Sequence, residues 1–151
     1  MTIEEFENFL KSIDGLENGY FTDRDSIKSA GFFSIGEGWL QLVKTLIEEC
    51  IKLGWDKQIC QVKEKFGGLR FYINSASEEI HTLISKYENL SYYICEQCGT
   101  SENVGITQGW LTTICESCKT EHYSERKWSQ LQNKSDKLDE AEFKKVFNGN
   151  S

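Results

Sequence analysis

Cys95 and Cys98, then Cys115 and Cys118, form two Cys-x-x-Cys pairs with sixteen residues between them. Two thiolates separated by two residues can point at one centre. Two such pairs supply the four corners of a zinc tetrahedron, with metal–sulfur bonds of about 2.3 Å. An iron–sulfur cluster is the other metal centre that accepts four thiolates. A redox dithiol is the metal-free alternative, although redox Cys-x-x-Cys motifs normally come singly in a βαβ setting. Zinc closed by four sulfurs keeps no position for water or substrate, so the expected cofactor is a structural Zn2+. Few large apolar residues surround the quartet, and its module should therefore fold only with the metal. His122 follows Cys118 by four residues and could replace a thiolate, but four cysteines already complete the tetrahedron and a helix-surface place is expected for it. His81 is expected to face solvent or its border. Neither histidine has a Ser, Cys or Asp partner in sequence, so no nucleophile–base arrangement and no catalytic residue is assigned. Cys50 and Cys60 sit within apolar patterns, as ordinary core thiols do.

The elements that must hold the quartet are short. Tyr92-Tyr93-Ile94 is expected to lead as a strand into Cys95, with Gly99 closing the first knuckle, and Trp110 to Ile114 has the composition of a strand leading into Cys115. Ahead of this zinc-ribbon-like module, Thr2-Ile3-Glu4-Glu5 is a capping box for a helix carrying Phe6, Phe9, Leu10 and Ile13 and ending near Asp14-Gly15. Residues 16 to 38 show no clean period and predict a long connection. Val43, Leu46, Ile47 and Cys50 recur after Trp39 at helical intervals, and Gly54 is placed to end that helix in a left-handed conformation. Gln58 to Lys65 and Leu69 to Asn74 flank Phe66-Gly67-Gly68, where the glycine pair would supply the positive φ angles of a hairpin turn. Leu69, Phe71 and Ile73 would then face the core, with Arg70 and Tyr72 on the other side. Ser75 or Ser77 caps a third helix bearing Ile80, Leu83, Ile84, Tyr87 and Leu90. Helices are expected over 120 to 133 and over 135 to 147, before a frayed tail. The expected fold class is α+β: helices packed on a β-hairpin (1–91), a zinc-ribbon-like module (92–120) and a C-terminal helical segment (121–151).

Charge narrows the partners. The formal net charge is −7, whereas a general nucleic-acid binder carries a basic footprint to neutralise phosphates. The balance is uneven, however: residues 57 to 74 contain Lys57, Lys63, Lys65 and Arg70 against Glu64 alone. Lys63, Lys65 and Arg70 could hold a phosphate or carboxylate, Arg70 by a bidentate contact, while Tyr72 offers a ring to stack upon and Trp39 or Trp55 a second one. The plainer reading is a hairpin with a solvated charged face. No run approaches the apolar length of a membrane span, and the first residues lack the positive start and apolar run of a signal peptide, so a cytoplasmic setting is expected.

The string Val62-Lys63-Glu64-Lys65-Phe66-Gly67-Gly68-Leu69-Arg70-Phe71-Tyr72 follows Gly36-Glu37-Gly38-Trp39 and precedes a Cys-x-x-Cys-Gly knuckle and a Gly-Trp before the second pair. Over residues 34 to 118 this resembles a group of small uncharacterised proteins of bacteria and their phages. The resemblance implies a bacterial or viral cytosolic setting and carries over no catalytic residue. The first expectation is thus a non-catalytic zinc-containing binding protein, a phage or prophage accessory or anti-defence factor that binds a host protein or captures a nucleotide signal. A zinc-ribbon nucleic-acid-binding regulator is the alternative. A small enzyme using carboxylates such as Glu37 or Glu64 comes third, since no pairing in the sequence supports it.

Overall fold

Helix α1 (Ile3–Ser12) starts at Thr2. The Thr2 hydroxyl accepts the Glu5 N–H at 3.2 Å while the Glu5 carboxylate accepts the Thr2 N–H at 2.8 Å, so two otherwise orphaned donors are satisfied reciprocally. The computed structural model describes residues 1–13 and 33–130. Most of the expected connection, the expected helix over 135 to 147 and the tail lie outside those residues. Strand β1 (Phe33–Ser34) leads through one 3-10 turn (Glu37–Trp39) into helix α2 (Leu40–Lys52). Gly54, at φ +86°, follows α2 as the left-handed position after a helix end requires.

Strand β2 (Ile59–Lys65) is central in the first sheet, parallel to β1 and antiparallel to β3 (Gly68–Ile73). Its register sets Val62 opposite Phe71 on the core face, and Lys63 opposite Arg70 on the other. The turn differs from expectation. Phe66 (φ +54°) and Gly67 (φ +81°) make the two left-handed positions, whereas Gly68 already belongs to β3. Gly68 has a different reason to lack a side chain: a Cβ there would overlap the Tyr92 ring and hydroxyl. The register slips between Ile59 and Gln61, and this irregularity leaves Cys60 half-buried rather than in the core. Cys50 is fully buried, and burial, reinforced by Glu49, pushes its thiol up to about 12.

Helix α3 (Glu78–Leu90) is capped by Ser77, whose hydroxyl accepts the Ile80 N–H at 3.3 Å. Its Ile80, Ile84, Tyr87 and Leu90 join Phe6, Leu10, Phe33, Val62, Leu69, Phe71 and the buried face of α2 in one core. The chain does not then become a strand at Tyr92-Tyr93, as composition suggested. It makes a 3-10 turn, Ser91–Tyr93. The buried Ser91 hydroxyl explains this: it donates to Glu88 O at 2.5 Å and accepts the Leu69 N–H at 2.9 Å, tying the helix end to β3.

The second sheet runs β5 (Thr113–Cys115), β4 (Val104–Thr107), β6 (Trp128–Gln130), all antiparallel. Helix α4 (Glu116–His122) replaces the helix expected over 120 to 133. It begins at the cysteine knuckle and stops at His122, and the chain turns back to add β6. Trp128 draws it there: its Nε1 donates to Ile114 O at 2.9 Å, and its indole occupies the space that a side chain at Gly105 would need. The strand expected from Trp110 is correspondingly short, with Trp110 itself on the β4–β5 turn. Among the described residues the fold is α+β, with four α-helices and two three-stranded sheets, the second carrying a zinc-ribbon-like cysteine cluster. No helix there is long and apolar enough to cross a membrane.

Candidate metal centre

Each cysteine pair folds as a knuckle before any metal is considered. The Cys98 N–H points at Cys95 Sγ and the Cys118 N–H at Cys115 Sγ, both at 3.5 Å. In the first knuckle Gly99, at φ +82°, donates to Cys95 O at 2.9 Å, and Cys95 donates to Thr100 O at 2.8 Å. The second knuckle is the opening turn of α4, with Cys115 as its cap. Backbone bonds set the two against each other: Glu96 N to Thr113 O and Glu116 N to Asn103 O, each 3.0 Å.

The result is four Sγ atoms within 4.8 Å of one another. Cys98 Sγ and Cys115 Sγ are 3.8 Å apart, far too long for a disulfide of about 2.05 Å. That spacing equals the edge of a tetrahedron with arms of about 2.3 Å, roughly 3.8 Å, as zinc thiolate sites have. Cys95, Cys115 and Cys118 are buried and Cys98 is exposed. Burial pushes the Cys95 thiol up, and pushes Cys118 up too with help from Cys115 and Cys98. Cys115 is also partly desolvated, yet the Cys118 N–H and the three neighbouring thiols hold it below the usual range. One stabilised thiolate, Cys115, beside two thiols that burial holds protonated, Cys95 and Cys118, is part of a donor set that a divalent cation completes, because its charge favours the thiolate form of its ligands. The four cysteines can hold a metal ion, and their spacing and chemistry fit zinc. Such an ion would supply a tetrahedral crosslink and no open coordination position.

The first knuckle has a seat that sequence reasoning did not find. Gly38 N donates to Glu96 O at 2.8 Å, Gly36 N to Glu96 Oε1 at 3.0 Å, and Trp39 Nε1 to Ile94 O at 2.9 Å. A Cβ at Gly36 would overlap Glu96 O, and one at Gly38 would overlap Cys95 O and approach Gly99 N to 2.6 Å. Gly36-Glu37-Gly38-Trp39 is thus the surface on which the knuckle backbone lies, and the Gly-x-Gly spacing before a tryptophan was the available signal. Burial raises the Glu96 carboxyl to about 6, opposed by the Gly36 N–H and reinforced by Glu64. Gly38→Ala is expected to cost at least about 2 kcal/mol, since backbone rather than a side-chain tip must move. A urea titration checks this, and an unchanged midpoint would contradict the seat.

Trp39 was a candidate to face a ligand; it is fully buried, with its one polar atom satisfied by Ile94. It is corrected to a core residue. Arg70 faces outward as expected but is engaged: Nη1 donates to Leu69 O at 2.8 Å and lies 3.8 Å from Glu88 Oε2, and Nη2 is 3.5 Å from the Tyr92 hydroxyl. Lys63 is half-buried, its Nζ 5.8 Å above the exposed Tyr72 ring, and the exposed Lys65 places Nζ 5.5 Å from the Phe66 centroid. The hairpin turn is fastened to the ribbon, because Thr113 Oγ1 donates to Gly67 O at 2.5 Å and Gly67 faces Ile106. His122 is exposed beside Glu121 and is outside the cysteine cluster; His81 is exposed. Glu64 accepts the Gly67 N–H at 2.8 Å, and Glu37 lies in the 3-10 turn before α2. No protein-family model, curated protein or solved structure matches this chain, so its chemistry rests on this geometry.

Proposed function

We propose that this is a non-catalytic binding protein stapled by a structural zinc ion, whose working surface is the β2–β3 hairpin. It takes an anionic group there, of a nucleotide or of a host protein, and serves as a phage or prophage accessory factor in the bacterial cytoplasm. The observation that carries this reading is the fastening of the hairpin turn to the ribbon by the bond from Thr113 to Gly67. The cysteine module thereby holds in place the backbone turn that follows Lys63 and Lys65, so the turn itself has little order left to acquire on binding. The net charge of −7 repels long polyanions but leaves a compact anion able to reach a local pair of lysines.

Lys63→Glu/Lys65→Glu tests this better than any change at Arg70, which supports the packing of β3 on α3. The wild-type and double-variant proteins, purified from bacterial cells, are compared by native mass spectrometry. One zinc ion per chain is expected in both, with an anionic small molecule or a partner protein on the wild type alone. The same companion on the charge-reversed protein would overturn the reading. So would tight binding to an oligonucleotide that falls steeply with salt, which would favour a nucleic-acid-binding regulator.

A further inference from the structure

We propose that the cleft between the hairpin turn and the β4–β5 turn binds a nucleoside phosphate, the base against Trp110 and Phe66 and the phosphate on Lys63 and Lys65. This rests on the preceding reading and moves its site from the hairpin's outward face to the junction with the ribbon. The cleft encloses about 560 Å³ between Lys63, Lys65 and Phe66 on one side and Gly109, Trp110 and Leu111 on the other, a volume ordinary for a small-molecule site. Trp110 is 73% exposed and Phe66 67%, the two most exposed large hydrophobic side chains among the described residues.

Neither ring sits on a loose segment. Thr107, fully buried, donates its hydroxyl to Trp110 O at 2.7 Å, accepts the Thr112 N–H at 2.9 Å, and donates its own N–H to Thr112 O at 3.0 Å. Gln108 N donates to Lys127 O at 2.9 Å, so the residue leading into β6 braces the same turn. Phe66 stands in a turn whose Gly67 is held at its N–H by Glu64 and at its carbonyl by Thr113. Glu64, the anion in the lining, is thereby directed at Gly67 N–H. Exposed aromatic faces carried on braced turns suit a planar ring, since stacking is available to any base. The Lys65 ammonium, 5.5 Å from the Phe66 centroid, asks for an anion within one small molecule's reach of that ring. A nucleoside phosphate carries both. A long nucleic acid would carry its remaining phosphates onto an acidic protein.

The test is isothermal titration of the zinc-loaded full chain with ADP and with GDP, alongside adenosine and pyrophosphate as half-ligands, with tryptophan fluorescence as a second readout. At least one nucleotide is expected to bind saturably and to alter Trp110 emission, with each half-ligand about tenfold weaker or worse. Trp110→Ala is expected to weaken binding about tenfold or more, the loss of one stacking partner, at unchanged thermal stability. Lys63→Ala/Lys65→Ala is expected to do at least as much. Failure of both nucleotides to bind at about 5 mM, a concentration that detects even a Kd near 1 mM, would overturn the proposal. Binding that needs the lysines but ignores Trp110 would reject this cleft and leave the hairpin reading standing. If neither nucleotide binds while native mass spectrometry still finds a lysine-dependent protein companion, the nucleotide assignment alone fails.

Discussion

Exhaustive removal of the metal is expected to unfold residues 95–118 while α1, α2 and α3 stay helical. The ribbon has little else to hold it: its buried apolar residues besides cysteines are Val104 and Ile114, with Tyr123 and Trp128 partly buried against them. Burying two aliphatic side chains contributes about 1.5–3 kcal/mol each, against an ordering cost of about 1–2 kcal/mol for every residue fixed. Structural zinc in small modules binds with an apparent free energy of about 10–16 kcal/mol near neutral pH, and that becomes folding free energy. Amide exchange reports the outcome directly. After verified metal removal, protection should vanish at Cys98, Gly99 and Cys118 and across β4 and β5, while α2 and α3 exchange as before. Cys115→Ser should reproduce the effect with zinc present, because Cys115 caps α4 and is one of the four cysteines able to hold the ion. Unchanged protection in β4 and β5 without metal would refute the crosslink. Acid should act as chelation does, since thiolates must lose the metal to accept protons.

Trp39→Ala is expected to cost about 3–5 kcal/mol for the vacated volume and a further share, about 1–3 kcal/mol, if Ile94 O is left without a donor. Trp39→Phe should fall between, retaining a ring and losing the bond. Trp110→Ala is the control and should lie within about 0.5 kcal/mol of wild type, as exposed substitutions do. Urea denaturation of the three variants separates them. Equal costs at positions 39 and 110 would contradict the burial described for Trp39. The position is sensitive for a second reason: Trp39 bonds the residue just before Cys95, so its loss loosens the seat of the first knuckle as well as the core.

Several features were legible locally. The capping box at Thr2, the stripes of α2 and α3, the Ser77 cap and the left-handed Gly54 each depend on residues within about one or two helical turns. The cysteine spacing is likewise a short-range rule, and the four sulfurs do converge. The errors fell where a distant partner decides. Tyr92-Tyr93 has strand composition, but Ser91 continues the helix because its hydroxyl serves Leu69. The segment after Cys118 has helical composition, but Trp128 finds Ile114 and pulls the chain into β6. Arg70 alternates outward as the strand period demands, yet Glu88 and Tyr92 occupy its guanidinium.

What the sequence by itself determined was a cysteine quartet able to hold a metal, the faces of α1, α2 and α3 and the two hairpin strands, all fixed by chirality, periodicity and spacing over a few residues. Only the tertiary structure decided which of the candidate residues are available. It took Trp39 inside, placed Gly36 and Gly38 beneath the first knuckle, and joined Gly67 to Thr113 so that Trp110 and Phe66 border one cleft. Those outcomes hang on contacts between segments dozens of residues apart. No local period encodes them, because they follow from which buried donors, acceptors and volumes must be matched once two separate cores are pressed together.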